Sequence, residues 1–212
     1  MSAPTTYLPS HFEQGDLPTL QAFIDDHPLA TWATTQDGEL VVHHVPFHLD
    51  RSRGPFGTLV GHVARANPVW RAPQRSLLVF GGAQAYVSPG WYPSKQVHGK
   101  VVPTWNYAVV HARGMPVVRE DAASVLRIVS QLTDTHEARQ ARPWQLGDAP
   151  PEYIEQMLRA IVGIEIPIEQ LVGKWKLSQN RSAEDRAGVA AGLRTQAGGG
   201  EMADLVQPPR AG

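Results

Sequence analysis

Residues 29–49 read LATWATTQDGELVVHHVPFHL. Leu29 to Thr35 is a β-branched and aromatic run, and Gln36-Asp37-Gly38 carries the Asp-Gly signal of a tight hairpin. Glu39 to Leu49 then continues with a period of two. That period places Val41, His43, Val45, Phe47 and Leu49 on one face, and Val42, His44, Pro46 and His48 on the other. Pro46 has no N–H to give to a ladder, which predicts a sheet edge or a bulge at that point.

Upstream, Asp16 and Pro18 precede Leu20, Phe23 and Ile24 at helical spacing, predicting a capped amphipathic helix that stops near His27-Pro28. Downstream, strands are predicted over 56–64, 76–87 and 101–112, with Gly81-Gly82 as a bend in the second and 115–119 extending the meander. Several short strands with turns between them and few intervening helical patterns predict an antiparallel barrel rather than a doubly wound sheet. Helices follow from Asp121 to about 136 and from Pro151 to about 161, then strands over 164–171 and 174–177. From about Ala183 aromatic residues give way to Ala, Gly and charge, which predicts a short frayed helix and then disorder. The expected organisation is therefore one domain over 1–182 and a flexible tail over 183–212.

Charge is distributed unevenly. The chain has 212 residues, net charge −1 and 20 acids, and yet no Asp or Glu occurs between Asp50 and Glu120. Arg51, Arg53, Arg65, Arg71, Arg75, Lys95, Lys100, Arg113 and Arg119 all fall in that interval, where an even spread would put about six or seven acids. The middle of the chain is thus expected to meet an anion. Cysteine is absent, which excludes disulfides, thiolate chemistry and Cys-ligated zinc. Neither a secretory signal pattern nor a long apolar run occurs, so no membrane span and a cytoplasmic location are expected.

The densest chemistry lies in AYVSPGWYPSKQVHGKVVPTWNYAVVH, Ala85 to His111. Trp91, Tyr92, Trp105 and Tyr107 interleave there with Ser88, Ser94, Lys95, Lys100, Thr104 and Asn106. Flat aromatic groups beside cations, amides and hydroxyls suit a planar phosphorylated ligand of nucleotide type. The same composition also suits a long loop packed by its own aromatics with its lysines in water. GHVARANP, Gly61 to Pro68, sets Arg65 and Asn67 at a strand end and turn where a phosphate could be met, although an arginine in such a place is commonly just solvated. His43, His44, His48, His62 and His111 have no carboxylate among the central strands to complete a metal set, so no metal is expected. Glycine-rich nucleotide loops and paired catalytic carboxylates are missing, and no catalytic residue is identified. Lys174, Lys176, Arg181 and Arg186 form the one compact basic run, read either as a solvated end or as a DNA contact.

Over residues 7–181 the chain resembles the PaiB-type family of FMN-binding negative transcriptional regulators. The resemblance is carried in order by YLPSHF at Tyr7, HPLATW at His27, HHVPF at His43, GTLVGHVARANPVW at Gly57, AYVSPGWYPSK at Ala85 and GKVVPTWNYAVVHARG at Gly99. LTDTHE at Leu132, PWQLGDAP at Pro143, MLRAIVGIEIPI at Met157 and GKWKLSQNR at Gly173 continue it. It implies a mainly β fold with flanking helices, an antiparallel split β-barrel of the pyridoxamine-phosphate-oxidase type, acting as a homodimer with FMN between subunits.

On that resemblance His62, Arg65 and Asn67 are expected near the flavin phosphate, and Lys100, Trp105 and Asn106 along the same groove. Ser88, Tyr92 and Lys95 would come from the neighbouring subunit, and Lys174, Trp175 and Gln179 would close the pocket. The resemblance implies a repressor that touches DNA or another protein. The rival reading is a flavin-dependent oxidoreductase or flavin reductase using NAD(P)H on the same barrel, and a haem-handling protein is a third class.

Overall fold

The computed structural model describes residues 7–207. Its strands are β1 (Glu13–Gln14), β2 (Leu29–Gln36), β3 (Glu39–Pro46), β4 (His48–Asp50), β5 (Thr58–Ala64), β6 (Ser76–Val87), β7 (Thr104–Gly114), β8 (Val117–Arg119) and β9 (Ile161–Lys176). The helices are α1 (Leu17–Asp26), α2 (Ser94–His98), α3 (Ala122–Glu137), α4 (Pro151–Arg159), α5 (Ala183–Arg194) and α6 (Gly200–Val206). Hydrogen bonding orders the strands β3-β2-β6-β7-β9-β5-β4, with β1 and β8 also pairing β9. The chain divides into two compact units, one of residues 16–80 and 110–171, the other of 7–15, 81–109 and 172–207.

In the larger unit the hairpin predicted from Asp37-Gly38 is present, with Gln36 opposite Glu39. Both turn residues have positive φ, 50° at Asp37 and 85° at Gly38. That is the mirror-image turn whose twist matches two strands, and Asp-Gly tolerates it. β3 ends the strand order, which accounts for Pro46. Val45, Phe47 and Leu49 are buried, whereas Val42, His44 and Pro46 are exposed, as the period of two requires. Gly61 of β5 lies where a Cβ would come within 2.8 Å of the Phe47 ring and 2.9 Å of the Pro46 carbonyl. Gly61→Ala is therefore expected to cost roughly 1–3 kcal/mol through overpacking, read as a lower denaturation midpoint at unchanged slope.

Asp121 caps α3 by accepting from the Ser124 N–H at 2.9 Å, and the apolar stripe of that helix sets Ile128 and Leu132 against Val60. Two predicted strands, 164–171 and 174–177, are one continuous strand of 16 residues. Pro167 is exposed within it and does not break it.

The stretch from Ala183 differs from expectation. α5 and α6 fold back on one another and bury Val189, Ala190, Leu193, Met202, Ala203 and Val206. Small residues at helical spacing formed a core that the loss of aromatics concealed. Residues 208–212 of the expected flexible tail lie outside the described residues. Among the described residues no helix is long and apolar enough to cross a membrane.

Candidate functional site

The cations of the acid-free interval do not share one fate. Arg51 pairs with Asp25 at 2.5 Å, Arg65 with Glu120 at 2.9 Å, and Arg75 with Glu169. Arg53 and Arg119 converge on Glu165 of β9, where Arg127 of α3 joins them, all at 2.8–2.9 Å. Glu165 is 1% exposed, and hydrogen bonds from Arg53 first, then Arg127 and Arg119, hold its carboxyl down at about 2 against the burial that opposes ionisation. Five of the nine interval cations are thus neutralised by acids from the flanking sequence, so the local charge is far less positive than a linear count suggests. Lys95 and Lys100 are exposed and have no carboxylate within 4 Å among the described residues.

Three expected site residues lie in the larger unit. Arg65 donates from Nε to the Arg159 carbonyl at 3.0 Å and from Nη2 to the Ile161 carbonyl at 3.2 Å. Its other nitrogen meets Glu120, and the guanidinium lies 5.7 Å from the Trp70 ring. An arginine so engaged fastens the end of β5 to the α4–β9 junction, and a phosphate would have to displace Glu120. Asn67 accepts from the Val69 N–H at 3.0 Å and its amide nitrogen lies 3.3 Å from His43 Nδ1. With Asn67 donating, His43 carries its proton on Nε2, which is buried and without a partner. His62 lines an apolar cavity of about 310 Å³ with Trp144, Tyr153 and Met157, and its Nδ1 is buried and unpartnered. Burial lowers its pKa, which keeps the ring neutral near pH 7.

The remaining nine fall in the smaller unit. Ser88 caps a turn by accepting from the Gly90 N–H, and Tyr92 is 2% exposed with a buried, unpartnered hydroxyl. Arg181 lies over the Tyr92 ring at 5.0 Å. Asn106 is fully buried and donates to the Ser178 hydroxyl at 3.0 Å. Trp105 is exposed and forms an aromatic pair with Tyr86, ring centres 6.1 Å apart. Lys174 donates to the Tyr7 carbonyl and lies over the Tyr7 and Tyr107 rings. Trp175 is buried. Gln179 is spent locally, accepting from the Leu177 N–H and donating to the Trp175 carbonyl.

The sequence marked Lys176 and Arg181 only as part of a basic run, and did not mark Tyr86 as a site residue. Lys176 donates to the Thr104 hydroxyl and the Trp105 carbonyl, at 2.5 and 2.9 Å. Lys176 and Arg181, with Thr104, Asn106 and Ser178, line a cavity of about 50 Å³ that contains no carboxylate. Ser178 has φ 62°, a left-handed conformation uncommon outside glycine and asparagine. The alternation of Lys174 and Lys176 along β9 was the available signal, since it places both on the same face.

A phosphorylated flavin needs cations free of acids, an exposed aromatic surface and unsatisfied hydrogen-bonding groups. Lys95 and Lys100, the Tyr86–Trp105 pair and the Tyr92 hydroxyl are of those three kinds, so the residues present fit such a group. Comparison with known proteins agrees. Residues 6–170 match the model of the family described as "Putative FMN-binding domain", and the chain belongs to that family, whose cofactor is FMN. It is 29% identical over 95% of its length to Protease synthase and sporulation protein PAI 2 of Bacillus subtilis, covering 96% of that protein. An uncharacterized protein of Aspergillus fumigatus is 34% identical, over 88% of this chain and 90% of that one.

Among solved structures, the flavocytochrome Anf3 of Azotobacter vinelandii superimposes with a TM-score of 0.56 at 17% identity, over 83% of this chain and 75% of that one. The FAD and heme binding protein of Mycobacterium smegmatis gives 0.56 at 18% identity, over 85% and 80%. These likenesses and the strand order define the fold as an antiparallel split β-barrel with added helices.

Proposed function

We propose that this FMN-binding protein is a cytoplasmic negative regulator of PaiB type, acting as a homodimer, in which Lys95 and Lys100 meet the flavin phosphate. The observation that carries the binding reading is the contrast in pairing. Five arginines of the acid-free interval are engaged by Asp25, Glu120, Glu165 and Glu169, and Arg71 lies against the Trp70 ring, whereas these two exposed lysines have no carboxylate beside them. Trp105 and Tyr86 offer the exposed aromatic surface beside which a ring system can stack.

Of the remaining expected residues, Ser88, Tyr92, Asn106, Lys174, Trp175 and Gln179 support the shape of the site more than its contacts. Arg65, bound to Glu120 and two carbonyls, is assigned the same supporting part. The regulatory part rests on the likeness to the Bacillus subtilis protein along nearly the whole chain. DNA contact is assigned to the dimer, with Lys176 and Arg181 of the basic run as its cations, since Arg186 is spent on the Val206 carbonyl.

Absorbance and mass spectrometry of the protein as purified test the first half, with a flavin spectrum or FMN-induced thermal stabilisation expected. A colourless protein whose melting temperature ignores added FMN contradicts it. Gel-shift at physiological salt tests the second half, with sequence preference expected; binding to any duplex that disappears with salt reflects charge alone. NAD(P)H oxidation catalysed by the FMN-loaded protein would instead support an oxidoreductase.

A further inference from the structure

The segment from Ser88 to Lys100 carries Tyr92, Lys95 and Lys100, yet it has little structure of its own. A 3-10 turn over Pro89–Trp91 and the five-residue α2 are its only regular elements. Helices this short do not persist alone, so something else must hold the segment.

Its fastenings lead to α5. A Cβ on Gly188 would sit 2.1 Å from the Trp91 carbonyl oxygen, and one on Gly192 would sit 2.3 Å from the Trp91 indole. Two glycines one turn apart thus let a tryptophan lie directly on a helix backbone. Glycine is the weakest helix former after proline, so the choice sacrifices helix propensity for this seat. Asp185, only 5% exposed, accepts from the Ser94 N–H at 3.1 Å and the Ser94 hydroxyl at 2.7 Å, which ties the first residue of α2 to the first turn of α5. α6 holds α5 in turn: Arg186 donates to the Val206 carbonyl at 2.9 Å, and Arg194 meets Asp204 at 2.9 Å.

We propose that the α5–α6 hairpin is a clamp that fixes the 88–100 segment in its flavin-binding shape. The α5–α6 hairpin is then part of the site, although it lies beyond the residues that match the family model. The link to flavin rests on the binding reading above; the clamping does not.

Gly192→Leu in the full chain drives a branched side chain into the Trp91 indole, and Asp185→Asn removes only the charge from the Ser94 cap. Hydrogen exchange of the amides from 92 to 99 and FMN titration are measured on both. Gly192→Leu is expected to speed exchange in that segment at least tenfold and to raise the Kd for FMN about tenfold, with exchange over 58–64 unchanged. Asp185→Asn is expected to do both to a lesser degree, and it alone decides the matter where the leucine variant fails to fold. Unchanged exchange overturns the clamp. Faster exchange with an unaltered Kd overturns its connection to the site. Where the unaltered protein binds no FMN at all, the binding reading falls by itself, and exchange alone supports or overturns the clamp.

Discussion

Glu165→Ala is expected to lower the unfolding free energy by about 3–5 kcal/mol, a fall in melting temperature on the order of 10 °C. Glu165 is 1% exposed and is the shared partner of Arg53, Arg119 and Arg127, so its loss leaves three guanidinium groups crowded together without a counter-charge. It also unfastens the loop after β4, the end of β8 and the first half of α3 from the middle of β9. Glu165→Gln keeps the shape and loses the charge, and should cost less than the alanine but still a substantial part of it.

The carboxyl titrates at about 2 in the folded protein against an ordinary 4.5. The unfolded chain therefore binds the proton first as pH falls. The stabilisation is complete above 4.5, shrinks as pH drops from there, and is gone once pH passes below about 2. Unfolding free energies of the native protein and Glu165→Gln should consequently converge on acidification through that window. A difference that stays constant from pH 6 to pH 2 would contradict the assignment.

Reversing both unpaired lysines, Lys95→Glu with Lys100→Glu, is expected to weaken FMN binding at least about 100-fold. Each substitution puts a like charge beside a phosphate dianion, and two charges about 4 Å apart at a protein surface interact by about 4 kcal/mol before salt screening. Both side chains are exposed, so folding should hardly change, and a melting temperature within a few degrees of the native value is the control. Arg65→Glu is the informative comparison. It breaks the contacts to Glu120, Arg159 and Ile161, and so should lower stability more than it lowers flavin affinity.

Much of the fold was legible in residues whose constraints are local. Asp37-Gly38 admits the one turn that two positive φ values require, and Asp16 and Asp121 cap α1 and α3 where the pattern placed them. Alternation along β3 and the residue after it sorted the buried Val45 and Phe47 from the exposed Val42 and His44 correctly.

What escaped reading depends on partners far apart in sequence. Absence of acids between 51 and 119 suggested an open cationic surface, but Arg53 reaches Glu165, 112 residues away, and Arg75 reaches Glu169. A charge count along the chain has no term for such pairings. The C-terminal hairpin escaped for another reason: glycine and alanine read as disorder when alone, and only the presence of Trp91 on Gly188 and Gly192 shows them as a seat. The motif GHVARANP marked a real structural junction at Arg65 and Asn67, but spelling cannot tell an arginine that fastens a strand end from one that awaits an anion.

Side-by-side titration of FMN and riboflavin isolates the phosphate, because the two ligands differ only in the group assigned to Lys95 and Lys100. FMN is expected to bind at least about 100-fold more tightly at low ionic strength, with the gap narrowing as salt is raised. Equal affinities, or no binding of either, would exclude a phosphate seat at Lys95 and Lys100.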